Sequence, residues 1–136
     1  MIETVDSLKL GMQIDRECEK LGKMMPVLVE VNSGHEPQKS GVLPEEAEKL
    51  RDLSQLQRMQ VQGLMTMGPR FGDPELACPY FQETKRLFDQ LSKLGIKNVE
   101  MRYLSMGMSN TYEIAIEEGA NMVRIGTKIF GERDYK

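Results

Sequence analysis

The chain has 136 residues, 40% of them hydrophobic and 29% charged, with a formal net charge of −3. That is enough chain for one domain with a core; scattered lysine and arginine with only 6% aromatics speak against a nucleic-acid surface. No apolar run approaches the roughly 18 residues of a membrane helix, and Met1-Ile2-Glu3-Thr4-Val5-Asp6 lacks the basic start and long apolar region of a signal peptide, so the cytoplasm is the expected location.

Met1–Val5 reads as a short strand, after which Asp6 or Ser7 can cap a helix. In that helix Leu10, Ile14, Cys18 and Leu21 recur at helical spacing, and Gly22 can stop it. Pro26–Val31 is a β-rich run, followed by a polar loop from Asn32 to Gly41. Pro44 opens a helix whose first turn carries Glu45 and Glu46, a favourable place for carboxylates; Ala47, Leu50 and Leu53 form its apolar stripe. Val61–Met67 reads as the next strand, and Gly68–Cys78 as a long loop rich in glycine and proline. Pro79 starts an amphipathic helix on Phe81, Leu87, Phe88, Leu91 and Leu94, closed by Gly95. Val99–Leu104 is a strand, Asn110 with Glu113 resembles a capping box for a helix ending near Gly119, and Met122–Ile125 is the last strand.

Isolated Cys18 and Cys78 read as free thiols. His35 is the only histidine, which speaks against a zinc site or a histidine-based triad. The eleven methionines read as fillers of core gaps.

About five βα steps, each near the ~30 residues of a βαβ unit, predict a parallel sheet with right-handed crossovers. Two architectures fit, an open doubly wound sheet or part of a (β/α)8 barrel. The two most informative stretches follow the last two strands. Ser105-Met106-Gly107-Met108-Ser109 runs into Asn110-Thr111-Tyr112-Glu113, and Arg124-Ile125-Gly126-Thr127 follows. Small-residue turns feeding helix starts present backbone N–H groups and hydroxyls to an anion. Two in succession, the second with an arginine, suggest a bound phosphate ester. Barrels bind phosphate with the loops after strands seven and eight, so the pattern points to the C-terminal part of a barrel. Taken singly, Ser109 reads as a helix cap, Arg124 as an ion-pair partner for Glu118 or Glu132, and Gly126 as a turn glycine. The joint order favours the anion site.

At these residues the chain resembles the pyridoxal phosphate homeostasis protein family (YggS/PROSC type), related to the barrel domain of alanine racemase. The matching stretches are Val29–Gly41, Gly63–Met67, Leu104–Ser109 and Val123–Tyr135. The resemblance implies that residues 1–136 are a single domain, the last five or so βα units of a (β/α)8 barrel that holds pyridoxal 5′-phosphate (PLP) at the C-terminal strand ends. By position, Ser109 would bond the phosphate through its hydroxyl. Met108 lies beside it, Gly126 and Thr127 would give backbone N–H groups, and Arg124 would face the pyridine nitrogen. Asn32 and Lys39 match family positions on the same face. The Schiff-base lysine lies on the family's first barrel strand, expected upstream of Met1, so no catalytic residue is assigned within the chain. Lys39 and Arg70 read as solvated loop residues and Lys128 as pointing into the last helix turn; none is a convincing substitute for that lysine.

PLP needs a Schiff-base lysine, a phosphate cup and a partner for the ring nitrogen. An arginine partner stays charged and accepts no proton, which weakens the ring as an electron sink and suits either racemase-like chemistry or a carrier. The resemblance implies the carrier, so the function expected is PLP binding and homeostasis with little or no catalysis. The alternatives are an amino-acid racemase of the alanine type, or a non-catalytic half-barrel that acts by assembling with another chain through open strand edges.

Overall fold

The computed structural model describes residues 1–69 and 72–132, with the backbone alone at 47–50. Arg70 and the Arg133-Asp134-Tyr135 end of the last matching stretch lie outside the described residues. Five strands alternate with helices: β1 (Ile2–Val5), α1 (Leu8–Lys20), β2 (Met25–Val31), α2 (Leu50–Leu53), β3 (Met59–Thr66), α3 (Cys78–Lys93), β4 (Val99–Met108), α4 (Tyr112–Glu117), β5 (Met122–Arg124) and α5 (Thr127–Phe130). Short 3₁₀ turns precede α2 (Pro44–Lys49) and α3 (Pro74–Ala77).

All neighbouring strands are parallel, and their spatial order is the chain order, β1-β2-β3-β4-β5. That order decides between the two architectures. A doubly wound sheet reverses its strand order at a switch point. A sequential order with right-handed crossovers puts every helix on one face and leaves the other to become a barrel interior. The sheet curls accordingly. On a flat sheet β1 and β4 would stand three strand steps, roughly 14 Å, apart. Instead the Ser105 hydroxyl on β4 donates to Glu3 Oε2 on β1 at 2.8 Å. The result is a curled half-barrel with a helical coat.

The core lies between sheet and helices. Val27, Val29 and Val31 of β2 pack there with Val61, Leu64, Leu104, Met106, Phe81, Leu87 and Leu91. Alternation turns Leu28 and Glu30 to the opposite, interior face. Gly63 marks a β-bulge against β4: its φ is +146°, and an added Cβ would stand 1.8 Å from the Tyr103 carbonyl oxygen.

Several local expectations change. Ser7, rather than Asp6, caps α1, accepting from the Leu10 N–H at 3.3 Å. Leu21 lies just past that helix and is 66% exposed, while Gly11 joins Cys18 as a buried position. Pro44 opens a 3₁₀ turn, and only Leu50–Leu53 is α-helical; Leu53 is buried, and the side chains of Ala47 and Leu50 are outside the described residues. Leu94 follows α3 and is exposed. Met59, Met65 and Met106 fill the interior as expected, but Met1, Met12, Met24 and Met67 are exposed. Cys18 and Cys78 are free thiols. Among the described residues no helix is long and apolar enough to cross a membrane.

The largest correction concerns the first anion stretch. Ser105–Met108 belongs to β4, because Ser105 and Met108 pair with Met122 and Arg124 of β5. Only Ser109–Thr111 remains as the turn into α4. The capping box is absent too: Thr111 stands at the N-cap and its Oγ1 accepts from the Met108 N–H at 3.1 Å, while Glu113 Oε1 takes the Tyr112 hydroxyl at 2.6 Å. A side chain buried like Thr111 can close the turn from within, which exposed Asn110 does not do.

Candidate functional site

Parallel strands bring their C-terminal ends to one rim. Ser109 follows β4 there and Ile125–Thr127 follows β5. The first turn is closed by a reciprocal pair, Met108 N–H to Thr111 Oγ1 and Thr111 N–H to the Met108 carbonyl (2.9 Å). It aims Ser109 across the sheet edge. Ser109 Oγ accepts two backbone N–H groups of the second turn, Gly126 at 3.1 Å and Lys128 at 3.3 Å. Thr127 opens α5 and is exposed, and its hydroxyl has no partner among the described residues. The converging backbone donors are thus Gly126 and Lys128.

Arg124 ends β5 and turns inward, not outward to Glu118 or Glu132. Its Nη1 donates to Ser105 Oγ at 2.5 Å; its Nη2 donates to the Thr66 carbonyl at 2.9 Å and reaches Met67 Sδ at 3.6 Å. Glu118 is engaged by Cys78 Sγ (3.1 Å) and Gln82 Nε2 (3.0 Å). Burial pulls the Arg124 pKa below its ordinary value, and the charges of Glu3 and Glu30 oppose that pull. The Glu30 carboxyl is pushed up by burial and by Asp6, and Arg124 opposes the shift. An arginine held this way remains a cation.

Asn32 and Lys39 come to the same rim but are occupied. Asn32 is buried; its Nδ2 donates to the carbonyls of Glu36 (2.9 Å) and Lys39 (3.4 Å), and its Oδ1 accepts from the Glu36 N–H (3.1 Å). It therefore shapes the loop after β2. Lys39 is not the solvated loop lysine expected. Its side chain is only 21% exposed, with Nζ on Glu36 Oε1 at 2.5 Å and on the Gly68 carbonyl at 2.9 Å, and 5.7 Å from the Tyr80 ring centroid. Lys128 points not into its own helix turn but to Tyr112 on α4, its Nζ 3.0 Å from the hydroxyl.

Sequence reasoning missed the interior groups behind Arg124: Glu3, Glu30, Thr66 and the inward role of Ser105. A signal existed in the charged Glu30 amid the apolar run Val27–Val31. Thr66 is buried, donating to the Val31 carbonyl at 2.8 Å, so that Ser33 donates to it at 2.9 Å.

The donor set fits a phosphate ester carried on an aromatic nitrogen heterocycle. Two turn N–H groups converge on a hydroxyl at the rim, and the half-buried Arg124 guanidinium lies on the same strand end. Together, sequential parallel strands and this rim define a partial (β/α)8-barrel domain. Residues 1–134 match the family "alanine racemase, N-terminal domain", and the chain belongs to that family. It is 43% identical to the pyridoxal phosphate homeostasis protein of Aquifex aeolicus, over 99% of this chain and 59% of that protein. With that of Mus musculus it shares 42% identity over 99% of this chain and 51% of that protein. The chain thus spans a little over half the length of these curated relatives. Among solved structures, PipY of Synechococcus elongatus with PLP bound superposes with a TM-score of 0.83 at 31% identity, over 96% of this chain and 60% of that one. Alanine racemase of Clostridium difficile gives 0.72 at 22% identity, over 97% and 34%, a likeness of fold.

Proposed function

We propose that this chain binds pyridoxal 5′-phosphate at the C-terminal rim and serves PLP homeostasis as a carrier with little or no catalysis, in the cytoplasm. The observation that carries the reading is the convergence of the Gly126 and Lys128 N–H groups on Ser109 Oγ beside inward-turned Arg124. The names of its relatives support it. Residues 1–136 are read as one domain, a partial PLP-binding barrel.

When bound, the cofactor supplies an aldehyde that condenses with amines and a ring that withdraws electrons. Ser109 and Thr127 offer their hydroxyls to the phosphate, and the Gly126 and Lys128 N–H groups orient the Ser109 hydroxyl for it. Arg124 offers N–H donors to the ring nitrogen and cannot accept a proton from any group. It thereby keeps that nitrogen unprotonated, which suits a carrier as well as racemase-like chemistry. Met108 fixes the turn that carries Ser109. Lys39, tied to Glu36 and Gly68, closes the loop after β2 and offers no free amine to the cofactor's aldehyde. Titration with PLP, read by absorbance, tests the proposal. Saturable binding weakened in both Ser109→Ala and Arg124→Ala is expected; unchanged affinity in both variants overturns it.

A second reading concerns assembly. β1 and β5 are the edges of the described sheet, and Ile129 and Phe130 beside β5 are 66% and 84% exposed. Unpaired parallel edges with apolar neighbours favour pairing with further strands. Self-association is the expected result in analytical ultracentrifugation, and a sharp monomer at high concentration contradicts it.

A further inference from the structure

We infer that Ser105 and Glu3 are positioning residues that hold Arg124 for the ring nitrogen of the bound cofactor, an inference that rests on the PLP reading above. Ser105 is fully buried, and its hydroxyl does two things at once. Its oxygen accepts from Arg124 Nη1 at 2.5 Å, so its single hydrogen is free to donate to Glu3 Oε2 at 2.8 Å. The carboxylate thereby polarises the serine toward the guanidinium. The chain crosses the barrel interior, from β1 through β4 to β5, so it also ties the curl of the sheet to the orientation of one arginine.

The donor count on Arg124 gives the direction. A guanidinium has five N–H bonds. One on Nη1 goes to Ser105, and Nη2 is engaged by the Thr66 carbonyl and Met67 Sδ. The Nε–H and the second Nη1–H have no partner among the described residues. Fixing one end of a planar fork fixes the other. With Ser105 and Thr66 gripping from behind, the two uncommitted donors are held in one orientation. Without Ser105 the fork would swing about its last bonds, and the entropy of holding it would fall on the ligand. Glu3 adds charge. It stands with Glu30 against the burial that disfavours the cation, which keeps a donor, not a neutral base, at this place.

The test compares two probes: PLP, and its analogue in which the ring nitrogen is replaced by CH. In Ser105→Ala, PLP affinity is expected to fall about tenfold, the scale of a lost bond to a charged group, and affinity for the analogue to stay within about twofold. Glu3→Gln, which can still accept from Ser105 but carries no charge, is expected to give a smaller loss of the same kind. A purely structural role would weaken both probes alike, and that result overturns the inference. In the free protein, nitrogen-15 NMR provides a ligand-independent readout. The Arg124 guanidinium, identified by its absence in Arg124→Lys, is expected to show hindered rotation that Ser105→Ala releases; free rotation in the unsubstituted protein is the contrary result. Binding of PLP with unchanged affinity in Ser105→Ala overturns this inference alone. Binding of neither probe by the unsubstituted chain overturns the PLP reading and this one with it.

Discussion

Ser109 and Gly126, seventeen positions apart, meet at 3.1 Å with the serine oxygen as acceptor. The bond joins the turns after β4 and β5, and Lys128 N–H completes it at 3.3 Å. Because an oxygen already sits where the turn donors converge, the cup is shaped before any ligand arrives. Ser109→Ala is expected to lower PLP affinity by about tenfold or more while lowering stability by less than about 1 kcal/mol, since these bonds are exposed. Parallel absorbance titration and thermal melts check both halves.

Gly107 is the hinge of that geometry. Its φ is +90°, and an added Cβ would lie 2.5 Å from Ala115 Cβ and 3.0 Å from Tyr112 Cα. Strain and overpacking act together, so Gly107→Ala is expected to destabilise by about 2–4 kcal/mol. Denaturant melts measure it; a change under about 1 kcal/mol contradicts the packing described.

The period of the βα pattern was legible in the sequence because β1 and β2 are rich in β-branched residues, turn residues separate the segments, and each long helix has one apolar face. All five strands were found. The end of β4 was not, because Ser105-Met106-Gly107-Met108 carries turn-like residues. Pairing with β5 keeps it extended, and no local propensity reports that pairing. Likewise Ser109, Arg124 and Gly126 could be singled out from a linear motif. Glu3 could not, because the contact it makes with Ser105 spans 102 positions and exists only once the sheet curls. The loop Asn32–Gly41 was legible as a loop, but its internal closure depends on where Gly68 and Tyr80 come to lie.

Glu30 makes the fold sensitive to pH. Its folded pKa is raised, by burial first and by Asp6 next, so the folded state favours the protonated acid. Its contribution to stability is present below the unfolded carboxylate pKa and is lost as pH rises through the raised folded value. Glu30→Gln is expected to raise the melting temperature at neutral pH and to leave it nearly unchanged at acid pH. Melts across that window read the difference; an equal effect at both ends contradicts the assignment.

Lys39 closes the loop after β2 onto the loop after β3. Lys39→Met keeps the aliphatic stem and removes the bonds to Glu36 and Gly68. Faster amide hydrogen exchange is expected across Asn32–Gly41, with little change in the β3 and β4 ladders. Unaltered exchange in that loop contradicts the clasp.

The most direct measurement of the central claim is a paired titration of the chain with PLP and with pyridoxal, which lacks the phosphate. If the Ser109 cup holds the cofactor, PLP binds saturably and pyridoxal binds far more weakly, and Ser109→Ala brings the two closer together. Equal affinity for the two, unaffected by Ser109→Ala, would contradict a phosphate cup at the ends of β4 and β5.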